Sequence, residues 1–400
     1  MVFRERFFGG YGRGVAAAAM LKSACMGLVA FGTLGVLTLA TPAAAQDIPE
    51  DKTRLFLWAG RTAPIAAPKP SGIPDPSTYT PTDSVRNPWL LEYTPADPNG
   101  AAVIVIPGGG YDNLSPWGSE GVPAANHLVE HGIRVFILRY RVKPYGYPHA
   151  MWDVQRAVRW VCAHAAEYGV DPRRIGVLGY SAGGHVASTA ATHFDAGLTD
   201  STAANGPHWY PGPKDSIDQY SSRPDFQALV YPMITMVRYR PGTTNNDYAY
   251  IPGLNIYLGA NPPQALVDYT SNEKQVTVET PPAFINWGTA DGLVDTLNSA
   301  AYRDSLLSKN VNVKTVVVAG GGHSPNTARL DSLRAWMDAS GFMAPTSLRG
   351  RAFKRLNAHS SRPASRHRLI VAPDALGRTP RDGRITGPAL NVPLQNKDSE

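Results

Sequence analysis

The chain has 400 residues, 43% hydrophobic and 18% charged, with 38 glycines and 35 prolines. That balance fits one large globular core with tails and many loops, and it excludes a long helical bundle. The formal net charge of +6 sits at the ends: residues 1–45 carry +3 and residues 345–400 carry +7, which leaves −4 on the body and excludes a basic nucleic-acid-binding surface there.

In chain order, residues 1–45 read as a cleavable export signal. Arg4, Arg6 and Arg13 precede an uncharged apolar run from Met26 to Ala40. Thr41-Pro42 ends the run, and Ala43-Ala44-Ala45 supplies small residues for cleavage between Ala45 and Gln46. The run is shorter than the ~20 residues of a spanning helix. The expected location is therefore secreted or periplasmic, with no stable membrane association after cleavage. Cys25 lies in the signal, so the mature chain would keep Cys162 alone and form no intrachain disulfide.

Residues 46–100 are Pro-rich and read as an irregular segment packing on the core, with one strand near Leu90 to Tyr93. From residue 101 to 344 the pattern becomes a regular alternation of strand and helix, read as one domain. Short continuous aliphatic runs stand at Ala101–Ile106, Ile133–Leu138, Ile175–Leu178, Ala228–Tyr231, Ala283–Asn286 and Val313–Val318. Such runs mark strands buried on both faces of a parallel sheet. Helical stripes fall at Glu120–Glu130, Ala150–Glu167, Gly183–Thr192, Ser299–Ser308 and Asn326–Ala339. The alternation predicts an α/β fold with a doubly wound, mostly parallel sheet and helices on both faces. Residues 195–225 interrupt it and read as a lid or loop insertion; residues 345–400 read as a basic, disordered tail.

Three glycine-rich sites carry chemistry. Gly179-Tyr180-Ser181-Ala182-Gly183 stands between a strand and a helix. There a tight turn lifts a serine hydroxyl above the sheet as a nucleophile. Pro107-Gly108-Gly109-Gly110 follows the first buried strand. Acyl transfer develops an oxyanion, and the amides of Gly109, Gly110 and Ala182 are the candidate donors for it. Gly320-Gly321-Gly322-His323 follows the last strand, which makes His323 the candidate base. Asp291, after the penultimate strand, is the candidate acid, with Asp295 as its rival and as the better fit to a helix cap. His185 reads as a buried hydrogen-bonding residue. Tyr111, Tyr180, Trp209 and Trp287 are candidate substrate-binding aromatics, with core packing the alternative. No ligand spacing for a metal appears.

Longer stretches carry a resemblance. They include Leu57-Trp58-Ala59-Gly60, Leu138-Arg139-Tyr140-Arg141-Val142, Asp153 with Arg156-Ala157-Val158, Asp171 through His185, and Thr280-Pro281-Pro282-Ala283-Phe284. Together with the motifs above, they resemble the acetyl xylan esterase and feruloyl-esterase-like carbohydrate esterases of the α/β-hydrolase fold. The resemblance spans residues 57–336. It implies a triad of Ser181, Asp291 and His323, an oxyanion hole at Gly109 and Gly110, no cofactor, and a small-molecule or oligosaccharide ester as substrate. One departure is Asn286-Trp287, where the family usually carries His. A general short-chain carboxylesterase or a peptidase is the neighbouring reading, and a non-catalytic binding scaffold of the same fold is the reading from a different class.

Overall fold

The computed structural model describes residues 54–58, 63, 87–114, 118–194, 214–236 and 254–343. The expected signal (1–45), residues 195–213 of the expected lid, the tail (345–400) and Trp209 lie outside them.

Eight strands form one sheet: β1 (Arg54–Phe56), β2 (Trp89–Tyr93), β3 (Ala102–Ile106), β4 (Arg134–Arg139), β5 (Ile175–Tyr180), β6 (Phe226–Val230), β7 (Ala283–Gly288) and β8 (Val313–Val318). Their spatial order is β1-β2-β4-β3-β5-β6-β7-β8. Pairing is parallel from β4 through β8, whereas β1 and β2 join antiparallel at one end. The aliphatic runs of β3, β5 and β6 are fully buried because successive residues face opposite covered surfaces. Ile104 and Ile106 of β3 pack into one core cluster, and Val103 and Val105 into the other.

Helices cover both surfaces. On one lie α2 (His149–Ala163), α3 (Ala182–Thr192) and α6 (Leu297–Ser308); on the other lie α1 (Val122–Val129) and α7 (Thr327–Ala339). Two short helices, α4 (Leu254–Leu258) and α5 (Gln264–Thr270), precede β7.

Two expectations change. The N-terminal segment is not wholly irregular before Leu90: β1 pairs with β2 in the register Leu55↔Leu90. The run Val313–Val318 is not buried on both faces, because β8 is the terminal strand of the sheet and its residues are half-buried or exposed. Residues 214–225, the described part of the 195–225 insertion, pack against α2. Residues 216–219 form a 3-10 turn whose Asp215 and Asp218 both pair with Arg156 of α2, at 2.6 and 2.9 Å. Arg159 Nε also donates to the Tyr220 carbonyl at 3.0 Å. Buried guanidinium groups thus strap this segment to α2.

Candidate active site

Ser181 lies between β5 and α3 with φ 52° and ψ −123°, a left-handed conformation that a side-chain-bearing residue adopts at a cost of about 1–2 kcal/mol. The surroundings hold it there. Its amide donates to the Val230 carbonyl at 3.2 Å, and its own carbonyl accepts the Gly184 and Met233 amides, each at 2.9 Å. The flanking glycines are steric necessities. A Cβ on Gly183 would sit 2.1 Å from the Ile106 carbonyl oxygen, and one on Gly179 would sit 2.2 Å from the Gly183 oxygen. The turn is therefore pressed against the end of β3, where the Gly108–Gly110 loop begins.

Gly109 and Gly110 both have positive φ, 124° and 61°. Among the described residues, no acceptor is assigned to their amides or to that of Ala182. The Gly109 carbonyl instead closes the loop by accepting the Asp112 and Asn113 amides at 3.1 and 3.2 Å. Three open donors beside a strained serine are what a developing oxyanion requires.

The loop after β7 and the loop after β8 are tied together. Ala290 donates to the Gly321 carbonyl at 2.9 Å, and the Gly320 amide donates to Thr289 Oγ1 at 2.8 Å. Across this join His323 Nδ1 donates to Asp291 Oδ2 at 2.8 Å. Asp291 Oδ1 accepts the Leu293 and Val294 amides, both at 2.9 Å. With Nδ1 protonated, the Nε2 lone pair of the imidazole is left to accept a proton. Asp295 has a different partner: its Oδ1 accepts the Leu297 amide at the start of α6, at 2.9 Å.

Ser181, His323, Gly108, Gly109, Gly110 and Ala182 line one cavity of about 580 Å³. Asp112, Asn113, Ser119 and Glu120 supply the rest of its polar wall, and Met233, Ile256, Leu293 and Val294 its apolar wall. The sequence reading singled out none of these eight. Glu120 marked only a helix start, and Ile256 lies on α4, which shows no long apolar period.

Three expected substrate contacts are elsewhere. Tyr111 is fully buried, stacks on Tyr257 at 4.2 Å and hydrogen-bonds His185 Nδ1 at 2.6 Å. Tyr180 is buried against Tyr231, with ring centroids 5.8 Å apart, and Trp287 is buried in the core on β7. None of the three lines the cavity. Aromatic residues are as useful to a core as to a sugar platform, and these face inward from strands or a tight loop. His185 is the buried hydrogen-bonding residue expected. Its Nε2 donates to the Thr270 carbonyl at 2.7 Å, so Nδ1 accepts the Tyr111 hydroxyl. Burial lowers its pKa from the ordinary 6.5 to about 4, which keeps the ring neutral. Asn286 is buried; its Oδ1 accepts Arg329, and its carbonyl accepts the Tyr231 amide at 2.6 Å.

The strand order, with a serine turn after β5 and a paired carboxylate and imidazole on the loops after β7 and β8, is that of the α/β-hydrolase class. Within that class the chain belongs to the BD-FAE family, whose model matches residues 93–306. Endo-1,4-beta-xylanase B of Butyrivibrio fibrisolvens is 32% identical over 242 residues, covering 58% of this chain and 34% of that protein. The acetylxylan esterase of Xylanibacter ruminicola is 26% identical over 235 residues, covering 58% of this chain and 43% of that protein. The chain thus spans 34% and 43% of the length of these relatives. Among solved structures, the acetyl ester-xyloside bifunctional hydrolase of Caldicellulosiruptor lactoaceticus matches with a TM-score of 0.58 and 29% identity, covering 73% of this chain and 97% of that one.

Proposed function

We propose that this chain is a serine carboxylic ester hydrolase that removes short acyl groups, acetyl foremost, from acylated carbohydrate. The observation that carries the reading is the Asp291–His323 hydrogen bond of 2.8 Å, whose imidazole opens into the cavity that also holds Ser181. In this reading His323 Nε2 takes the Ser181 proton as the hydroxyl oxygen attacks the acyl carbonyl. The amides of Gly109, Gly110 and Ala182 receive the developing oxyanion. The alcohol leaves with the proton from His323. Water, deprotonated by the same imidazole, then hydrolyses the acyl-enzyme. Asp291 holds the tautomer throughout.

The polar wall of Asp112, Asn113 and Ser119 suits the hydroxyls of a sugar alcohol, and the names of the xylan-related relatives support the same substrate class. The apolar wall of Met233, Ile256 and Val294 suits a short acyl chain. It also favours the second reading, a general short-chain carboxylesterase. Assaying acetate release from acetylated xylan beside hydrolysis of 4-nitrophenyl acetate and longer acyl esters separates the two. Xylan-bound acetate released faster than the longer esters are cleaved supports carbohydrate deacetylation. Ser181→Ala should abolish turnover and leave the fold intact; a variant that still turns over would end the serine reading. The same proposal places the mature enzyme outside the cytoplasm, cut between Ala45 and Gln46, which N-terminal sequencing of the exported protein checks.

A further inference from the structure

We infer that Glu120 is a positioning residue that couples the oxyanion loop to the base, by holding the Gly108 amide on one carboxylate oxygen and the Tyr231 hydroxyl on the other. This rests on the esterase reading above. Glu120 lines the cavity yet takes no part in the proton relay. Its Oε2 accepts the Gly108 N–H at 2.7 Å, and its Oε1 accepts the Tyr231 O–H at 2.9 Å.

Gly108 opens the proposed donor loop. A Cβ built on it would lie 2.8 Å from Ser181 Cβ, so this backbone touches the nucleophile. Three consecutive glycines have more conformational freedom than any other triplet, and a charge-assisted bond to the first restricts where the next two amides point. On the other side, the Tyr231 ring packs against the His323 ring at 4.3 Å and 52°. Tyr231 has φ 38°, a strained value that its amide bond to the Asn286 carbonyl and its hydroxyl bond to Glu120 jointly hold. Burial, and after it the Glu120 carboxylate, raises the pKa of this hydroxyl far above its ordinary value, so it stays a donor. Arg329 lies over the same ring at 5.3 Å and donates to the Gly322 carbonyl at 3.3 Å, beside the base. One carboxylate therefore braces both halves of the reacting centre.

Steady-state hydrolysis of 4-nitrophenyl acetate by the full chain tests this, with thermal melting of every variant alongside. Glu120→Ala should lower kcat by about 10²-fold, the effect of losing one aligned oxyanion donor, and leave KM within about 3-fold. Tyr231→Phe should lower kcat by about 10-fold, and the double variant should be no worse than Glu120→Ala, because both act through one link. Glu120→Gln keeps an acceptor for Gly108 and a partner for the tyrosine, and should stay within about 10-fold of wild type. An unchanged kcat with raised KM in Glu120→Ala would make Glu120 a substrate contact and overturn the inference, as would a multiplicative double variant. If Glu120→Ala melts too early to assay, Tyr231→Phe decides, and wild-type kcat in it overturns the coupling. A wild-type chain inert toward every ester sinks the esterase reading and this inference with it.

Discussion

Asp291 turns one carboxylate oxygen to His323 Nδ1 and the other to the amides of Leu293 and Val294. Asp295, four positions on, is exposed and caps the start of α6. Substitution should separate them sharply. Asp291→Asn preserves shape but presents the wrong tautomer to the base, and kcat should fall about 10³- to 10⁴-fold. Asp295→Ala should leave kcat alone and cost about 1 kcal/mol of stability, the usual worth of a lost cap. Kinetics and urea melts of both variants check this, and equal losses of activity would contradict it. Chain order and the loop after β7 were enough to narrow the acid to these two residues, but only coordinates show which carboxylate faces an imidazole. The aromatic residues were less legible. Tyr111, Tyr180 and Trp287 stand close in sequence to reacting groups, yet each side chain points into the core, and sequence proximity carries no direction. Glu120 was invisible as a site residue because its partners, Gly108 and Tyr231, stand 12 and 111 positions away and share no motif with it.

The turn between β5 and α3 is where element geometry and chemistry meet. Gly183 lets α3 press on the end of β3, with no room for a methyl beside the Ile106 carbonyl. Gly183→Ala should therefore destabilise the protein by about 1–3 kcal/mol, as overpacking against unyielding backbone does, and lower kcat by shifting Ser181 away from Gly109. Gly292→Ala, where an added Cβ meets nothing within 4 Å, is the matched control and should stay within about 0.5 kcal/mol. Denaturant midpoints of the two variants provide the comparison. The strands of the sheet were readable because burial on both faces leaves unbroken aliphatic runs. β1 is only three residues long, and α4 and α5 have five and seven, too short for a 3.6-residue period to register. β8 kept its aliphatic run although it ends the sheet, so its exposure was not legible.

At the scale of the whole molecule, buried imidazoles tie stability to pH. His185 is held neutral down to about 4 and His149 down to about 3, in both cases chiefly by burial, against an ordinary 6.5. As pH falls below 6.5, the unfolded chain takes up protons at both rings that the folded chain refuses. Unfolding then binds protons, so these groups give their full stabilisation above 6.5 and lose it as pH drops toward 4, by on the order of 3 kcal/mol for His185. Melting temperature followed from neutral pH down to about pH 4 should fall more steeply in wild type than in His185→Gln. Parallel curves would show that His185 does not drive the loss.

The parallel order of the sheet has a consequence for the protein as it is made. On the proposed reading, the nucleophile and its glycine loop ride on β5 and β3, while acid and base arrive only with β7 and β8. A nascent chain therefore carries its attacking oxygen long before anything exists to activate it, and hydrolytic power is withheld until the last strand is laid down.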